Sequence, residues 1–313
     1  MRRREIIHGS ALFGLATSLG SLGACSRLDR RGARASATSV GLTRLTAPPG
    51  GGLPAAFVIG RHAEVLDFTG PLEVFAGAAT TEGAPLFAPY MVAATADGVI
   101  VGGGMTVVPD HTFRTAPQPR VIVIPAMVFS DEDAEMFEWI RAASRSCDVT
   151  MSVCNGAFVL ARTGLLNGRS ATAHHGGYFS FAASYPEVHL KRGARFVEDG
   201  TLASSGGVSA GIDLALRVVA RYVGEETAEG LADAIEYQGQ GWRDPGSNRA
   251  YAKLPPLTGS PPRCPVCLSE VARTIDASHR GTTYFFCSAG CRELFTRHTD
   301  VFDRFLDEDA RSG

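Results

Sequence analysis

Hydrophobic residues in this chain form short uninterrupted runs that alternate with longer stretches in which they recur at helical spacing. The runs Ala55–Ile59 and Val121–Ile124 contain no polar residue, which is typical of strands buried on both faces of a sheet. The stretch Asp131–Arg145 has Phe137 and Ile140 among its apolar positions, which predicts a helix. Because strand and helix alternate, we predict an α/β fold with a mostly parallel sheet and helices on both faces.

The same reasoning places the other elements of the main domain. Pro71 suits the first turn of a helix that carries Leu72 and Phe75 on one face. The remaining predicted elements are the strands Pro89–Ala94 and Met105–Val108, a hairpin of Ala194–Val197 with Leu202–Gly207, and the helices Ile212–Val223 and Glu225–Tyr237.

Cys154 lies where an extended run, Asp148–Met151, turns into the helix-forming stretch Ala157–Arg162. Small residues stand two positions before and after it, Ser152 and Gly156, as a sharp strand-to-helix turn requires. Such a turn exposes the sulfur at the carboxyl end of a strand, next to helix amides that favour thiolate. We therefore expect the most acidic and reactive thiol of the main domain here. The alternative is a buried cysteine that packs as a small hydrophobe.

Three further side chains are candidates for the same site. Asp67 is predicted in the loop ahead of the Pro71 helix, at the carboxyl end of the first strand, where it faces the Cys154 crevice. Its alternative role is a helix cap or turn former. His174, in a glycine-rich return towards the sheet, is either a base for Cys154 or a structural histidine. Asn155 is a candidate hydrogen-bond donor to developing charge.

Several motifs together resemble the ThiJ/PfpI superfamily, in particular the branch of isonitrile hydratase and the sensor halves of AraC-type regulators. The resemblance covers about residues 53–238 and implies a flavodoxin-like fold similar to that of class I glutamine amidotransferases. It also implies a nucleophile at Cys154, a catalytic acid at Asp67, a homodimer and no cofactor in this domain. The motifs are Asp67–Phe75, Val108–Phe113, Ser152–Ala157, Gly164–Arg169 with Thr172 and His174, and Gly206–Asp213.

The chain departs from that family pattern at two positions in the site. Asn155 stands where the hydratase pattern has threonine, and Pro125-Ala126-Met127 stands where the family usually has Pro-Gly-Gly. A backbone amide in this second loop normally helps to hold the oxyanion. Alanine and methionine keep the N–H but lack the backbone freedom of glycine.

Four cysteines near the end form two close pairs, Cys264 with Cys267 and Cys287 with Cys291. This spacing predicts a tetrahedral metal site, with two disulfides as the alternative. The stretch resembles the treble-clef-like YHS/TRASH metal-binding modules, and we assign residues 263–310 to such a module, with 239–262 as a linker. We expect one Zn²⁺, with Cu(I) as the alternative for soft ligands, and expect the metal to contribute to folding.

The first 25 residues have the layout of an export signal. Arg2-Arg3-Arg4-Glu5-Ile6-Ile7 before a short apolar stretch resembles a twin-arginine signal, and Leu22-Gly23-Ala24-Cys25 resembles a lipobox. We predict a periplasmic or cell-envelope lipoprotein that is anchored to the membrane through Cys25. The alternative is a plain signal cut near Ala24. Residues 26–52 are predicted to be a flexible tether.

Composition narrows the possible functions. The chain has 313 residues and a formal net charge of -2, which suits one α/β domain with a small addition and gives no electrostatic case for nucleic acid. We predict an exported cysteine-dependent hydratase or hydrolase for a small carbon–nitrogen or carbonyl substrate. The alternative is a non-catalytic small-molecule-binding or heavy-metal-sensing lipoprotein. A transcription regulator is not expected, because the chain after Tyr237 has no room for a paired helix-turn-helix domain.

Overall fold

The computed structural model describes residues 43–311, and their centre is a seven-stranded sheet. The strand order is β10-β11-β7-β6-β1-β2-β5, and all neighbours are parallel except the β10/β11 hairpin. The strands are β1 (Leu53–Val58), β2 (Phe87–Ala93), β5 (His111–Thr112), β6 (Val121–Ile124), β7 (Val149–Val153), β10 (Phe196–Asp199) and β11 (Leu202–Ser205). Short two-stranded pairs outside the sheet are β3 (Val99–Ile100) with β4 (Thr106–Val107), and β8 (Ser170–Ala171) with β9 (His189–Leu190).

Helices cover both faces of this sheet, as the uninterrupted apolar strands require. Ala55 and Phe57 of β1 face one hydrophobic cluster, and Ala56 and Val58 face the other. The first cluster is shared with α1 (Val65–Gly77), α5 (Ala210–Val223) and α6 (Glu225–Ala234); the second is shared with α2 (Ala134–Ala143), α3 (Gly156–Arg162) and α4 (Tyr178–Ser184). The predicted α/β class is confirmed.

Helix α1 begins earlier than the sequence predicts. It starts at Val65 rather than near Pro71, so Asp67 lies in its first turn and not in the loop before it. Pro71 therefore lies in the second turn of the helix, where it has no N–H to donate to the Asp67 carbonyl one turn before it. The change matters for the site, because a helix turn holds the Asp67 side chain more firmly than a loop would.

The segment predicted as a linker is packed against the main domain. Trp242 is 1% exposed, and the Arg243 guanidinium stacks over its indole ring at 4.0 Å. The Arg195 amide donates to the Pro245 carbonyl at 2.6 Å. Two single-turn 3-10 helices, Gly241–Arg243 and Arg249–Tyr251, add local order. The segment is therefore a packed part of the main domain as well as its connection to the C-terminal cysteine region.

The C-terminal region, residues 263–311, shares its hydrophobic core with the main domain. It consists of the hairpin β12 (Asp276–His279) and β13 (Thr282–Phe285), followed by α7 (Ala289–Arg297) and α8 (Thr299–Arg311). Phe179 of α4 stacks on Phe295 of α7 at 5.9 Å, and Arg192 lies over the Phe305 ring of α8 at 4.2 Å. None of the helices within residues 43–311 has the length and apolar character needed to cross a membrane. The predicted export signal and Cys25 lie outside the described residues.

Candidate functional site

Cys154 occupies a sharp turn between β7 and α3. Its φ of 59° lies in the left-handed region, which costs a non-glycine residue about 1–3 kcal/mol. Its amide donates to the carbonyls of Ser205 and Gly206 at 3.1 and 3.2 Å, so β11 fixes the turn. Gly156 passes so close to the Ile124 carbonyl that a Cβ there would collide with it. The structure thus has the turn that the small residues beside Cys154 predict.

Asp67 lies against the Cys154 thiol from the neighbouring helix α1. Its carboxyl is fully buried, its Oδ2 accepts the Ala126 amide at 2.9 Å, and it interacts with the thiol. Its other oxygen, Oδ1, has no hydrogen-bond partner within residues 43–311. The turn after β7 supplies the thiol of this pair, α1 supplies the carboxyl group, and the loop after β6 holds that carboxyl group in place.

Burial raises the pKa of both members of this pair. Desolvation raises the pKa of Asp67 to about 7, and the Glu64 charge adds to the rise, while the Ala126 amide opposes it. Desolvation and then the Asp67 charge raise the pKa of Cys154 to about 12, against the opposing effect of the Asn155 amide. Burial raises the pKa of Cys147 to about 12 as well, so the expectation that Cys154 is the most acidic thiol of the main domain stays a prediction. The tendency of helix amides to lower the pKa of Cys154 is outweighed by burial and by the negative charge of Asp67, both of which raise it.

The electrostatics assign complementary roles to the two groups. At neutral pH the thiol keeps its proton, while the carboxyl is about half ionised, because its pKa is about 7. A base whose pKa lies near the working pH is well suited to accept and return a proton. A proton that leaves the Cys154 thiol can therefore be accepted by the adjacent Asp67 carboxylate and returned from it.

The loop after β6 positions the acid instead of presenting a free amide to an oxyanion. The Ala126 N–H points at Asp67 Oδ2, so it is already engaged. The Met127 side chain covers Gly60 beside it. The Asn155 backbone amide, by contrast, faces the Cys154 sulfur. With Pro125-Ala126-Met127 in place of Pro-Gly-Gly, the amide of this loop therefore holds the Asp67 carboxyl group.

Within residues 43–311, His174 lies near the Cys154 turn but makes no hydrogen bond to the Cys154 thiol. Its Nδ1 accepts the Gly176 amide at 3.1 Å, and its ring packs on Gly207. Burial, and then the neighbouring His175, lower the pKa of His174. A neutral ring that accepts at Nδ1 carries its proton on Nε2, so this nitrogen donates and does not take up the thiol proton.

Asn155 is exposed, and its side chain lies against Gly177 rather than over the sulfur. The structure thus brings Cys154 and Asp67 together, places the Asn155 backbone beside them, and leaves His174 as a neighbour of the turn. Sequence reasoning missed the Ala126 amide and Glu64. Backbone donors and neighbouring charges leave no motif, so only the departure at Pro125-Ala126-Met127 pointed to this loop.

The four C-terminal cysteines converge as predicted. Their sulfur atoms all lie within 4.8 Å of one another, and all four are free thiols. Cys287 Sγ is 3.5 Å from Cys267 Sγ and 3.3 Å from Cys291 Sγ. Four thiolates bound to one zinc at about 2.3 Å lie roughly 3.8 Å apart, so the cluster fits a tetrahedral ion. Cys264 is buried whereas Cys287 is exposed, which leaves one side of the cluster open to solvent.

Known proteins share the fold and the site region. Residues 54–221 match the DJ-1/PfpI family. The chain is 30% identical to the isonitrile hydratase of Pseudomonas putida over 225 residues, which is 71% of this chain and 89% of that protein. It is 29% identical over 156 residues to the HTH-type transcriptional regulator CdhR of Pseudomonas aeruginosa, which is 46% of this chain and 44% of the regulator.

A solved structure gives the same assignment. The crystal structure of a ThiJ/PfpI family protein from Pseudomonas syringae superposes with a TM-score of 0.54 and 27% identity, covering 62% of this chain and 78% of the other. The C-terminal region lies beyond the family segment 54–221. The fold, the Cys154 turn and these matches together show that the chain belongs to the DJ-1/PfpI family.

Proposed function

We propose that this protein is a cysteine-dependent hydratase or hydrolase that acts on a small carbon–nitrogen or carbonyl compound, with an isonitrile as the first candidate substrate. The observation that carries the proposal is the buried Asp67 carboxyl, with its pKa raised to about 7, held against the Cys154 thiol. The similarity to a protein named isonitrile hydratase supports the substrate class. Cys154 acts as the nucleophile and Asp67 as the proton carrier.

In the first half of the reaction the thiol adds to the terminal carbon of the isonitrile R–N≡C. Asp67 accepts the thiol proton and delivers it to that carbon, while sulfur forms a bond to the same atom. The triple bond becomes a double bond, and the product is a thioimidate, R–N=CH–S, on Cys154. No charge is left on the adduct, which suits a site in which burial opposes charge on both groups.

In the second half, water adds to the thioimidate carbon, with Asp67 as the base that accepts a water proton. Asp67 passes that water proton to the nitrogen. The carbon–sulfur bond then breaks as the hydroxyl group of the adduct becomes the carbonyl, and the second water proton passes from that hydroxyl to sulfur. The products are the formamide R–NH–CHO and the free thiol, so one isonitrile and one water are consumed per cycle. The Asn155 amide stabilises negative charge that develops next to the sulfur.

The test is to incubate the purified protein with a small alkyl isonitrile and follow the formamide by mass spectrometry. Wild type and Cys147→Ala should turn over, whereas Cys154→Ala should not. Cys147 is a matched control, because it is a second buried thiol of the main domain whose pKa burial also raises to about 12. Absence of turnover by wild type on isonitriles, nitriles, amides and aldehydes would reject the enzymatic function.

The four-cysteine cluster favours a second candidate, a non-catalytic ligand-binding or heavy-metal-sensing protein. A cluster with one buried and one exposed cysteine can exchange its ion with solvent more readily than a closed site. The similarity to a protein named as a transcriptional regulator, rather than as an enzyme, also supports this candidate. A protein that binds metal reversibly and shows no turnover in the assay above would support this candidate.

We further propose that the cluster binds one Zn²⁺, with Cu(I) as the alternative, as a YHS/TRASH-like module. When bound, the ion would cross-link Cys264, Cys267, Cys287 and Cys291 and contribute to folding. Elemental analysis of the purified chain should give one ion per molecule. A metal-free protein with two disulfides by mass would contradict this.

The remaining proposals concern location and assembly. We propose export by the twin-arginine route, anchoring at Cys25, and a homodimer. Because this route carries folded proteins, the metal would be bound in the cytoplasm before the thiols meet an oxidant. Replacing Arg3 and Arg4 by lysine should block export, and replacing Cys25 should release the mature protein from the membrane fraction. Membrane retention of the Cys25 variant would contradict the lipid anchor.

A further inference from the structure

We propose that metal binding at the four-cysteine cluster controls the geometry of the Cys154 site through the loop His174–Gly177. The inference rests on the proposed role of Cys154 as a nucleophile, but its tests do not require turnover. The loop lies between the two cysteine sites and contacts both. A metal bound far from the reacting sulfur would thereby act as a positioning element for it.

On the metal side, the ligand-bearing backbone contacts the loop directly. A Cβ on Gly176 would lie 3.2 Å from the Cys267 carbonyl oxygen, which is tighter than ordinary side-chain packing. The Cys264–Cys267 segment is a tight turn closed by the Leu268 amide, which donates to the Cys264 carbonyl at 2.8 Å. A shift of this turn therefore moves the Cys267 carbonyl oxygen, which lies beside Gly176.

A second contact reaches the same element from the other ligand pair. Helix α4 follows the loop, and its Phe179 stacks on Phe295 of α7 with an interplanar angle of 27°. Helix α7 carries Cys291, whose amide is capped by the Ser288 hydroxyl at 3.2 Å. The first cysteine pair thus contacts the loop through the Cys267 carbonyl, and the helix that carries Cys291 contacts α4 through Phe295.

On the catalytic side, the loop packs on the turn that holds Cys154. A Cβ on Gly177 would lie 2.5 Å from Asn155 Oδ1. The His174 ring packs on Gly207, the neighbour of Gly206, whose carbonyl accepts the Cys154 amide at 3.2 Å. A shift of the loop is therefore transmitted to Asn155, the residue after Cys154, and through Gly207 to Gly206, whose carbonyl holds the Cys154 amide.

The metal-binding region depends on its ion more than the main domain does. Its hairpin β12/β13 has only two strands, which would be marginally stable alone, and it is held by the packing of Tyr284 on Phe295 and Phe302. The Cys287 side of the cluster is exposed and contributes little burial. Without an ion to cross-link the two pairs, the Cys264–Cys267 turn loses the constraint that holds it against Gly176.

The experiment compares the full chain as purified, after chelation, and after reloading with Zn²⁺. Iodoacetamide labelling of Cys154 is read by mass spectrometry, with buried Cys147 as the internal reference. We expect metal removal to change the ratio of Cys154 to Cys147 labelling by about fivefold or more, the usual size of coupling between sites. Hydrogen exchange at the Gly176 and Gly177 amides, which bond to His174, should accelerate in parallel.

A substitution that keeps the metal provides the second arm. Gly176→Ala should place a Cβ 3.2 Å from the Cys267 carbonyl oxygen and 3.1 Å from His174 Nδ1, so it shifts the loop against both. In the loaded protein it should therefore change Cys154 labelling as chelation does. Gly230→Ala is the matched control, because a Cβ there meets no atom within 4 Å. Unchanged Cys154 labelling and loop exchange across metal removal, or in loaded Gly176→Ala, would overturn the proposal. Altered labelling without turnover on any substrate would support the coupling while rejecting the enzymatic function.

Discussion

Cys154 and the C-terminal cysteines use one side chain in opposite surroundings. Cys154 is alone, buried in a strained turn and faced by a carboxyl group, so burial and like charge keep it protonated. The four C-terminal thiols lie within 4.8 Å of one another around a partly open cluster. Four thiols in this arrangement could hold a metal ion if they gave up their protons to it. Burial thus favours the protonated thiol in the first region, whereas the proposed metal would favour thiolates in the second.

The difference teaches where cysteine chemistry is encoded. In the C-terminal region it is encoded by local spacing, because a Cys-x-x-Cys turn and a cysteine at a helix start already aim their sulfurs at one point. At Cys154 local spacing fixes only the turn. The chemistry there depends on Asp67 and Ala126, which reach the turn from other elements of the fold.

The largest expected effect separates the two roles in the thiol–carboxyl pair. Asp67→Asn should reduce turnover about 10²–10⁴-fold, because the proton carrier is lost. The same substitution should make Cys154 label faster with iodoacetamide, because the charge that raises its pKa is gone. Turnover assays and labelling rates measured on one preparation check both effects. Equal turnover in Asp67→Asn and wild type would contradict the role of Asp67.

The next effect is on stability and tests the metal cluster. Cys291→Ser should lose the bound ion and reduce the free energy of unfolding by about 4 kcal/mol or more, because loss of a metal is among the largest single-residue effects. Denaturant titration with elemental analysis measures both quantities. Cys147→Ser, outside the cluster, should keep the metal. A Cys291→Ser protein with full stability would show that the cluster is not structural.

The third effect is a pH dependence of stability that arises from Asp67. Its folded pKa is about 7 and its usual value is 3.8, so between these pH values the unfolded chain ionises while the folded one stays protonated. Folding stability should therefore fall as pH rises through this window, by at most about 4 kcal/mol, and be constant with respect to this group below and above it. Asp67→Asn should flatten this part of the profile. Melting temperatures between pH 4 and 8 test this, and identical profiles would argue against a buried, protonated Asp67.

The smallest expected effect concerns His174. In the metal-free protein, where the loop is already released from the Cys267 carbonyl, His174→Ala should change Cys154 labelling less than twofold, because the ring makes no bond to the thiol. Labelling rates at pH 7 measure this. A tenfold slower rate would restore His174 as the base for the thiol.

The sequence predicted the parts of the molecule that depend on neighbours in the chain. Alternating apolar runs predicted the parallel sheet, and small residues around Cys154 predicted its turn. The start of α1 was misplaced, because Pro71 resembles a first-turn proline although the helix begins at Val65. The raised pKa of Cys154 could not be predicted, because it arises from burial that only the packed structure defines.

The shared core also has a consequence for the order of events during synthesis. Phe302 and Phe305 of α8, which are 0% and 3% exposed, belong to the same hydrophobic cluster as Phe179 of α4. A ribosome makes α8 after the whole parallel sheet and α4, so the aromatic face of α4 stays uncovered until the chain has been synthesised through Arg311. Domains usually fold as units in the order of their synthesis, but this one needs a helix made after its entire sheet to close its core. Termination of synthesis before α8 would therefore leave an exposed aromatic surface on α4, of the kind that chaperones and proteases recognise.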